Sequence, residues 1–212
     1  MELRTLLASC PLVAILRGIR PDEVDAVGDV LAGAGLRVIE VPLNSPDPLD
    51  SIGRLARRHG ANVLVGAGTV RRTAEVDAVA AAGGRLIVTP HADPALMRHA
   101  KAAGLQTAPG FFTPAEAFAL LDAGADALKL FPAEGGSPAM LKSLRAVLPP
   151  GTMVLPVGGM DPATIPAWRD AGAAGFGIGS ALYKPGDSPA DVAAKAEGLL
   201  RALHPGDNRR PA

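Results

Sequence analysis

The chain repeats one pattern along most of its length: a short aliphatic run is followed by a longer segment, rich in Ala and Leu, with the period of a helix. The eight runs are residues 12–16, 37–41, 62–68, 85–90, 105–110, 126–132, 153–159 and 174–180. Strands that alternate with helices in this way form a parallel sheet with right-handed crossovers. Eight such units predict an α/β fold, a (β/α)8 TIM barrel, in a single domain over residues 1–203. An open, doubly wound sheet is the alternative arrangement.

The composition limits the kind of protein and the kind of ligand. Of the 212 residues, 48% are hydrophobic and only 3% are aromatic, so we expect one sizeable domain with a mostly aliphatic core. Lys plus Arg (21) balances Asp plus Glu (21), which leaves no basic surface for nucleic acid and no polybasic signal for a membrane. The expected partner is therefore a small molecule.

Several features of the sequence favour a cytoplasmic location. Cys10 is the only cysteine, so no intrachain disulfide can form. The apolar part of the amino-terminal stretch is too short for a convincing secretion signal, and no run reaches the ~18–20 apolar residues of a membrane helix. Residues 204–212, HPGDNRRPA, are predicted to form a disordered tail.

One of the aliphatic runs contains a lysine. If DALKLFP (126–132) is extended, Lys129 shares a face with Ala127 and Phe131, while Leu128 and Leu130 lie on the opposite face. In a barrel the leucines suit the layer beneath the helices, and Lys129 then points into the interior. The carboxyl ends of the strands are where active sites of such barrels lie.

The second run places an acid in the same interior. In RVIEV (37–41), Ile39 and Val41 face outward and Glu40 faces inward. Burial lowers the pKa of a lysine, and a free amine can attack a ketone to form a Schiff base, which withdraws electrons from the adjacent carbon–carbon bond. Glu40 is suited to the role of general acid and base. The structural alternatives are a buried ion pair, a lysine that reaches the rim, or a solvated strand-end carboxylate.

Glycines at the ends of the last two runs predict an anion site. Gly158 and Gly159 end the seventh run, and Gly179 with Ser180 ends the eighth, each ahead of a helical segment. Backbone amides and helix N-termini in these two loops commonly bind phosphate in barrels. Glycine is also common at such turns for backbone shape alone.

Two polar residues at the ends of earlier runs are candidates to hold a carboxylate. Arg17 follows the first run and offers a guanidinium, and Thr69 follows the third and offers a hydroxyl. A salt bridge at the rim for Arg17 and a helix N-cap for Thr69 are the alternatives.

Seven motifs, in order across residues 14–183, carry a family resemblance: AILRGI, VIEVPLNSP, GAGTV, LIVTP, ALKLFPA, VGGM and GIGSALY. The chain resembles the 2-keto-3-deoxy-6-phosphogluconate / 2-keto-3-deoxy-6-phosphogalactonate aldolase family. The resemblance implies a homotrimer of (β/α)8 barrels and a class I aldolase that uses no metal or other cofactor. It also implies cleavage of a phosphorylated 2-keto-3-deoxy sugar acid into pyruvate and glyceraldehyde 3-phosphate.

The resemblance implies a role for each candidate residue. Lys129 resembles the Schiff-base lysine and Glu40 the general acid/base, while Arg17 and Thr69 match substrate contacts. The residues that match the phosphate site are Gly158, Gly159, Gly179 and Ser180.

The assignment of the chain to one branch of this family depends on a few short stretches of sequence. The stretch VIEVPLNSP and Val157 resemble the galactonate branch, whereas FPAE is similar to the gluconate branch. Since the two substrates differ at the C4 hydroxyl, Val157 is a candidate specificity residue. The galactonate substrate is favoured, and a gluconate-type or dual-specificity aldolase is the alternative.

Two other classes of protein compete with this interpretation. A metal-dependent aldolase or isomerase would need histidines and carboxylates that converge on the mouth of the barrel. His59 and His99 fall in predicted helices and His204 in the tail, so only His91 lies near a strand end. A non-enzymatic phosphosugar-binding barrel would have no need for a buried Lys and Glu that face each other.

Overall fold

Nine parallel strands alternate with helices in the computed structural model, which describes residues 2–203. The strands are β1 (Leu12–Ile15), β2 (Val38–Pro42), β3 (Leu64–Gly68), β4 (Leu86–Val88), β5 (Gln106–Ala108), β6 (Gly110–Phe111), β7 (Leu128–Leu130), β8 (Val154–Pro156) and β9 (Phe176–Ile178). The helices are α1 (Leu3–Ser9), α2 (Pro21–Gly33), α3 (Pro48–His59), α4 (Thr73–Ala81), α5 (Pro94–Ala102), α6 (Pro114–Asp122), α7 (Pro138–Arg145), α8 (Ile165–Asp170) and α9 (Pro189–Leu203). The tail predicted over 204–212 lies outside the described residues.

The strands form two parallel sheets that continue into each other. Six strands pair in the order β5-β4-β3-β2-β1-β9, and three pair in the order β6-β7-β8. The predicted run 105–110 divides at Pro109: β5 pairs with β4, and β6, which extends one residue beyond the run to Phe111, pairs with β7. At the other side, Val157 and Gly177 form an isolated parallel bridge, and the Ala174 N–H donates to the Val154 carbonyl at 2.9 Å. All eight predicted runs contain strands, so the parallel α/β organisation is confirmed.

Side chains alternate between the two faces of the curled sheet as the sequence predicts. Ile39, Val41, Leu128 and Leu130 pack in a large cluster on the outer face, beneath the helices. A second, smaller cluster fills the inner face, and we call it the interior cluster; its buried members are Leu3, Leu7, Val13, Val38, Leu64, Leu86, Val88, Ala108, Ala127, Met153 and Leu155. The period of two along each strand therefore separates a helix-facing core from a concave interior.

Helix α1 was not predicted from the sequence. It contributes Leu3 and Leu7 to the interior cluster, and the Leu3 N–H donates to Oε1 of Gln106, the first residue of β5, at 2.8 Å. The helix therefore covers the amino-terminal end of the sheet interior and leaves the carboxyl ends of the strands open. Within residues 2–203, no helix is both long and apolar enough to span a membrane.

Candidate active site

The structure brings Lys129 and Glu40 into one interior, as their strand positions predict. Lys129 lies on β7 and is 6% exposed, and Glu40 lies on β2 and is 1% exposed. Both line a small cavity whose other walls are apolar, among them Ile15, Val88 and Leu155. A carboxyl and an amine thus share a space from which most water is excluded.

Burial strongly changes the acidity of Glu40. Loss of hydration raises its pKa to about 7, although the nearby positive charges of Lys129 and Arg17 oppose this shift. Its Oε2 atom is buried and has no hydrogen-bond partner among the residues that the structure describes. A carboxyl group with this pKa exchanges protons readily near neutral pH.

Burial also changes Lys129. Loss of hydration lowers the pKa of its amine, the charge of Glu40 acts in the opposite direction, and Arg17 lowers the pKa further. Its Nζ lies 4.6 Å from the centroid of the Phe131 ring, on the same face of the strand. A lowered pKa increases the fraction of free amine, which is the nucleophilic form.

Arg17 lies at the mouth of this interior and is oriented by the neighbouring loop. Its Nη1 donates to Oδ1 of Asn44 at 2.6 Å, and the next residue, Gly18, donates its N–H to Oγ of Ser45 at 2.9 Å. The rim salt bridge considered for Arg17 is not found among the described residues. Asn44 is a site residue that sequence reasoning missed, although it lies in the PLNSP segment of a quoted motif.

Thr69 does not cap a helix. It follows β3 directly with a left-handed backbone (φ 59°), whereas the N-cap of α4 is Arg72. For a β-branched residue this conformation is unfavourable, and such strain concentrates at functional sites. The N-cap interpretation is therefore wrong, and the hydroxyl is not committed to a helix terminus.

The glycines that follow β8 and β9 lie in loops. Gly158 and Gly159 have positive φ values of 105° and 67°, which favour glycine at both positions. After β9, the carbonyl of Gly179 accepts from the N–H groups of Leu182 and Tyr183, and Ser180 is exposed in this turn.

One expectation about these loops was wrong. The sequence predicts helix N-termini directly after the glycines, but α8 starts only at Ile165 and α9 only at Pro189. The intervening turns take the place of a first helical turn, so amides of the loops themselves are the donors available to an anion.

Glu134 is a further acidic residue near this site. Its Oε2 lies 3.1 Å from where a Cβ of Gly159 would be and 3.3 Å from that of Gly158, so the carboxylate lies beside both glycines. Glu134 ends the segment FPAE (131–134), whose sequence points to a branch of the family and not to a role at this site.

The histidines do not converge on the interior. His59 ends α3, His99 lies in α5, and His91 is exposed in the loop after β4, while His204 lies beyond the described range. Over residues 2–203, no three His, Cys, Asp or Glu side chains are grouped so as to hold a metal ion.

Comparison with known proteins identifies the family. The family model described as KDPG and KHG aldolase matches residues 3–193. The chain belongs to the KDPG and KHG aldolase family. A curated relative in this family, the 2-dehydro-3-deoxy-6-phosphogalactonate aldolase of Escherichia coli (strain K12), is 44% identical over 91% of this chain and 94% of its own length.

Solved structures agree with membership of the KDPG and KHG aldolase family. One described as "Native KDPGal structure" superimposes with a TM-score of 0.92 at 43% identity, covering 96% of this chain and 97% of its own. Another, at 44% identity and a TM-score of 0.89, is a cube-shaped, highly porous protein cage designed by fusing symmetric oligomeric domains; 91% of this chain and 72% of that chain are covered. The parallel α/β fold is thus the family's fold.

Proposed function

We propose that this protein is a class I aldolase that cleaves 2-dehydro-3-deoxy-6-phosphogalactonate to pyruvate and D-glyceraldehyde 3-phosphate. One observation carries the proposal: a lysine and a carboxyl group are buried together in an otherwise apolar interior, and burial shifts both pKa values toward neutrality. Membership of an aldolase family, and the name of the relative from Escherichia coli, support it.

The reaction begins at Lys129. Its free amine attacks the C2 carbonyl of the substrate to give a carbinolamine, and the protonated carboxyl of Glu40 donates a proton to the departing hydroxyl. Water leaves, and an iminium joins C2 to Nζ. The positive nitrogen now accepts electrons from the C3–C4 bond.

Cleavage and release follow from the same two groups. The Glu40 carboxylate takes the proton of the C4 hydroxyl, the C3–C4 electrons move to form an enamine, and C4 leaves as the aldehyde of glyceraldehyde 3-phosphate. Glu40 then returns the proton to C3, and water hydrolyses the pyruvate iminium to release pyruvate and the free amine. A carboxyl pKa of about 7 suits a group that is acid and base in alternate steps.

The ends of the substrate are assigned to the loops. Arg17, oriented by Asn44, and Thr69 hold the carboxylate at one end of the interior. The phosphate lies at the amides of Gly158, Gly159, Gly179 and Ser180. The positive φ values of Gly158 and Gly159, and the open space beside Gly179, support this assignment.

We further propose that Val157 selects the C4 epimer. It lines the same cavity as Lys129 and Glu40 and is 8% exposed. An aliphatic side chain gives no hydrogen bond to the C4 hydroxyl, so it does not favour the gluconate-type epimer as a hydroxyl-bearing residue would.

The sheet is proposed to close into an eight-stranded barrel. The continuity of β5 into β6 through Pro109 and the Val157–Gly177 bridge support closure, since they join the two sheets at both sides. We propose that the protein assembles as a homotrimer, which the family resemblance supports. We also propose that it is located in the cytoplasm, because a chain with a single cysteine suits a reducing compartment.

The test is chemical trapping at Lys129. Incubation with pyruvate and borohydride should reduce the iminium to a stable amine, and mass spectrometry of peptides should locate the added mass on Lys129. Lys129→Ala and Lys129→Arg should lose both trapping and aldol cleavage, because guanidinium is never a free amine at neutral pH. Lys142→Ala, which alters an exposed lysine on α7, is the matched control and should retain both.

Treatment with EDTA should leave turnover unchanged, since the proposed electron sink is the iminium. Native protein that cleaves the substrate but adds no mass at Lys129 would contradict the Schiff-base mechanism.

A further inference from the structure

Gly68 lies against the carboxyl group of Glu40. It is the last residue of β3, is buried, and pairs across the sheet with Pro42 of β2, two residues beyond Glu40. A Cβ built on Gly68 would lie 2.5 Å from Oε1 of Glu40 and would overlap its Cδ and Oε2. The carboxyl group thus occupies the space that any side chain at position 68 would fill.

The backbones on both sides of this contact are held in place. The carbonyl of Gly68 accepts from the Leu43 N–H at 2.9 Å, and the carbonyl of Glu40 accepts from the Leu16 N–H at 3.0 Å. Glu40 is also paired with Ile15 on one side and Gly66 on the other. A side chain at position 68 would therefore displace the flexible end of Glu40 and leave the strands where they are.

Gly66, the preceding inward residue of β3, shows the contrast. A Cβ there would overlap the backbone carbonyl of Leu86, which cannot move without breaking the sheet. Gly68 has no such backbone neighbour among the closest atoms, and its φ is not in the left-handed range. The strand itself does not require a glycine at position 68. The Glu40 carboxyl group does, because it occupies the space of a side chain there.

We propose that Gly68 is a positioning residue: its missing side chain fixes where the Glu40 carboxyl group rests relative to Lys129 and the substrate. The inference rests on the proposed role of Glu40 as acid and base. With Gly68 in place, the carboxyl group lies against β3; with an alanine, it must move away from β3. A general acid displaced by about 1 Å loses on the order of 10²-fold in rate.

Gly68→Ala tests this directly. We expect kcat to fall on the order of 10²-fold, KM to change little, and the melting temperature to stay near that of the native protein. Exchange of the pyruvate methyl protons with deuterated water, followed by NMR, should slow in parallel, because it needs the acid/base and not the phosphate loops. Gly33→Ala is the matched control, since a Cβ on this exposed helical glycine meets no atom within 4 Å.

A double-variant cycle separates positioning from general structure. In a Glu40→Ala background the overlap no longer exists, so adding Gly68→Ala should cost little further activity. If Gly68→Ala alone is destabilised, Glu40→Ala should restore its melting temperature for the same reason. Additive losses in the cycle, a destabilisation that persists in the double variant, or full activity of Gly68→Ala would overturn the inference.

Failure of the inference about Gly68 can be distinguished from failure of the proposed function. If native protein neither traps pyruvate at Lys129 nor exchanges its methyl protons, the aldolase mechanism fails. If native protein does both and Gly68→Ala does so equally well, only the role of Gly68 fails.

Discussion

At the scale of single residues, the candidate site contains two ionisable groups, and burial disfavours the charged form of each. Glu40 and Lys129 are each almost completely removed from water, and for both, loss of hydration is the largest influence on the pKa. Their opposite charges reduce these shifts but do not cancel them. Glu40, with a pKa of about 7, is thus able to exchange protons near neutral pH, as the proposed role of acid and base in turn requires.

The acid/base role predicts the behaviour of Glu40→Gln. The amide keeps the size of the side chain but removes proton transfer, so kcat should fall by about 10²–10⁴-fold. The native pH profile of kcat/KM should bend near pH 7, because the Glu40 pKa is about 7, and this bend should be absent in the variant. Steady-state kinetics from pH 5 to 9 measure both effects.

Glu197→Gln, which alters an exposed carboxylate on α9, is the control and should keep the native profile. If the Glu40→Gln variant keeps near-native turnover over the whole pH range, Glu40 is only a structural carboxylate and the acid/base role is wrong.

The aliphatic side chain of Val157 leads to a prediction about which C4 epimer the enzyme prefers. The native enzyme should cleave the galactonate epimer at least as well as the gluconate one, and Val157→Thr should shift the ratio of kcat/KM toward gluconate, because a hydroxyl adds a polar partner for the substrate. Val147→Thr, the same exchange at an exposed position, should leave the ratio unchanged. Measurement of both epimers on all three proteins decides this. A native preference for gluconate by about tenfold, or ~1.4 kcal/mol, would overturn the epimer assignment and leave the aldolase proposal intact.

At the scale of secondary-structure elements, each end of the site is built by loops from adjacent strands. The loops after β1 and β2 are joined by the Arg17–Asn44 and Gly18–Ser45 hydrogen bonds. The loops after β8 and β9 carry the glycines and Ser180, on strands that meet at the Val157–Gly177 bridge. The strands hold these loops at fixed separations, and the proposed function places the two ends of the substrate in them.

The loop after β9 gives a prediction about phosphate. If Ser180 donates its hydroxyl to the phosphate, Ser180→Ala should raise KM for the phosphorylated substrate by about tenfold, the value of a hydrogen bond to a charged group. Cleavage of the unphosphorylated sugar acid should already be slow and should not change further. Ser9→Ala, on α1 at the other end of the strands, is the control. An equal effect of Ser180→Ala on both substrates would place the phosphate elsewhere.

At the scale of the whole molecule, the helices cover the outer face of the sheet, and α1 covers one end of its interior. Three large hydrophobic residues remain exposed on the described surface: Leu49, Phe118 and Val147. Isolated residues of this kind are normal on a monomer and do not by themselves indicate an interface. The trimer therefore remains a proposal from the family resemblance.

The proposed trimer predicts the mass in solution. Size-exclusion chromatography with light scattering should give three times the mass of one chain across a wide range of protein concentration. Phe118→Ser and Val147→Ser, measured in the same way, would show whether either exposed residue contributes to assembly. A single-chain mass at micromolar concentration would contradict the proposal.

The sequence by itself determined the strands, the helices between most of them, and the faces on which Lys129 and Glu40 lie. These features depend on local geometry, because a strand turns successive side chains to opposite faces whatever its neighbours are. Its ordered motifs also indicated the family that the comparisons confirm.

Only the tertiary structure decided the contacts that complete the site. The hydrogen bond from Arg17 to Asn44, the contact of Gly68 with Glu40 and the approach of Glu134 to Gly159 each join different strands or loops. Helix α1 was not predicted, because its leucines are buried only against the assembled sheet. Strand register and long-range packing set these distances, and neither is encoded in any short stretch of the chain.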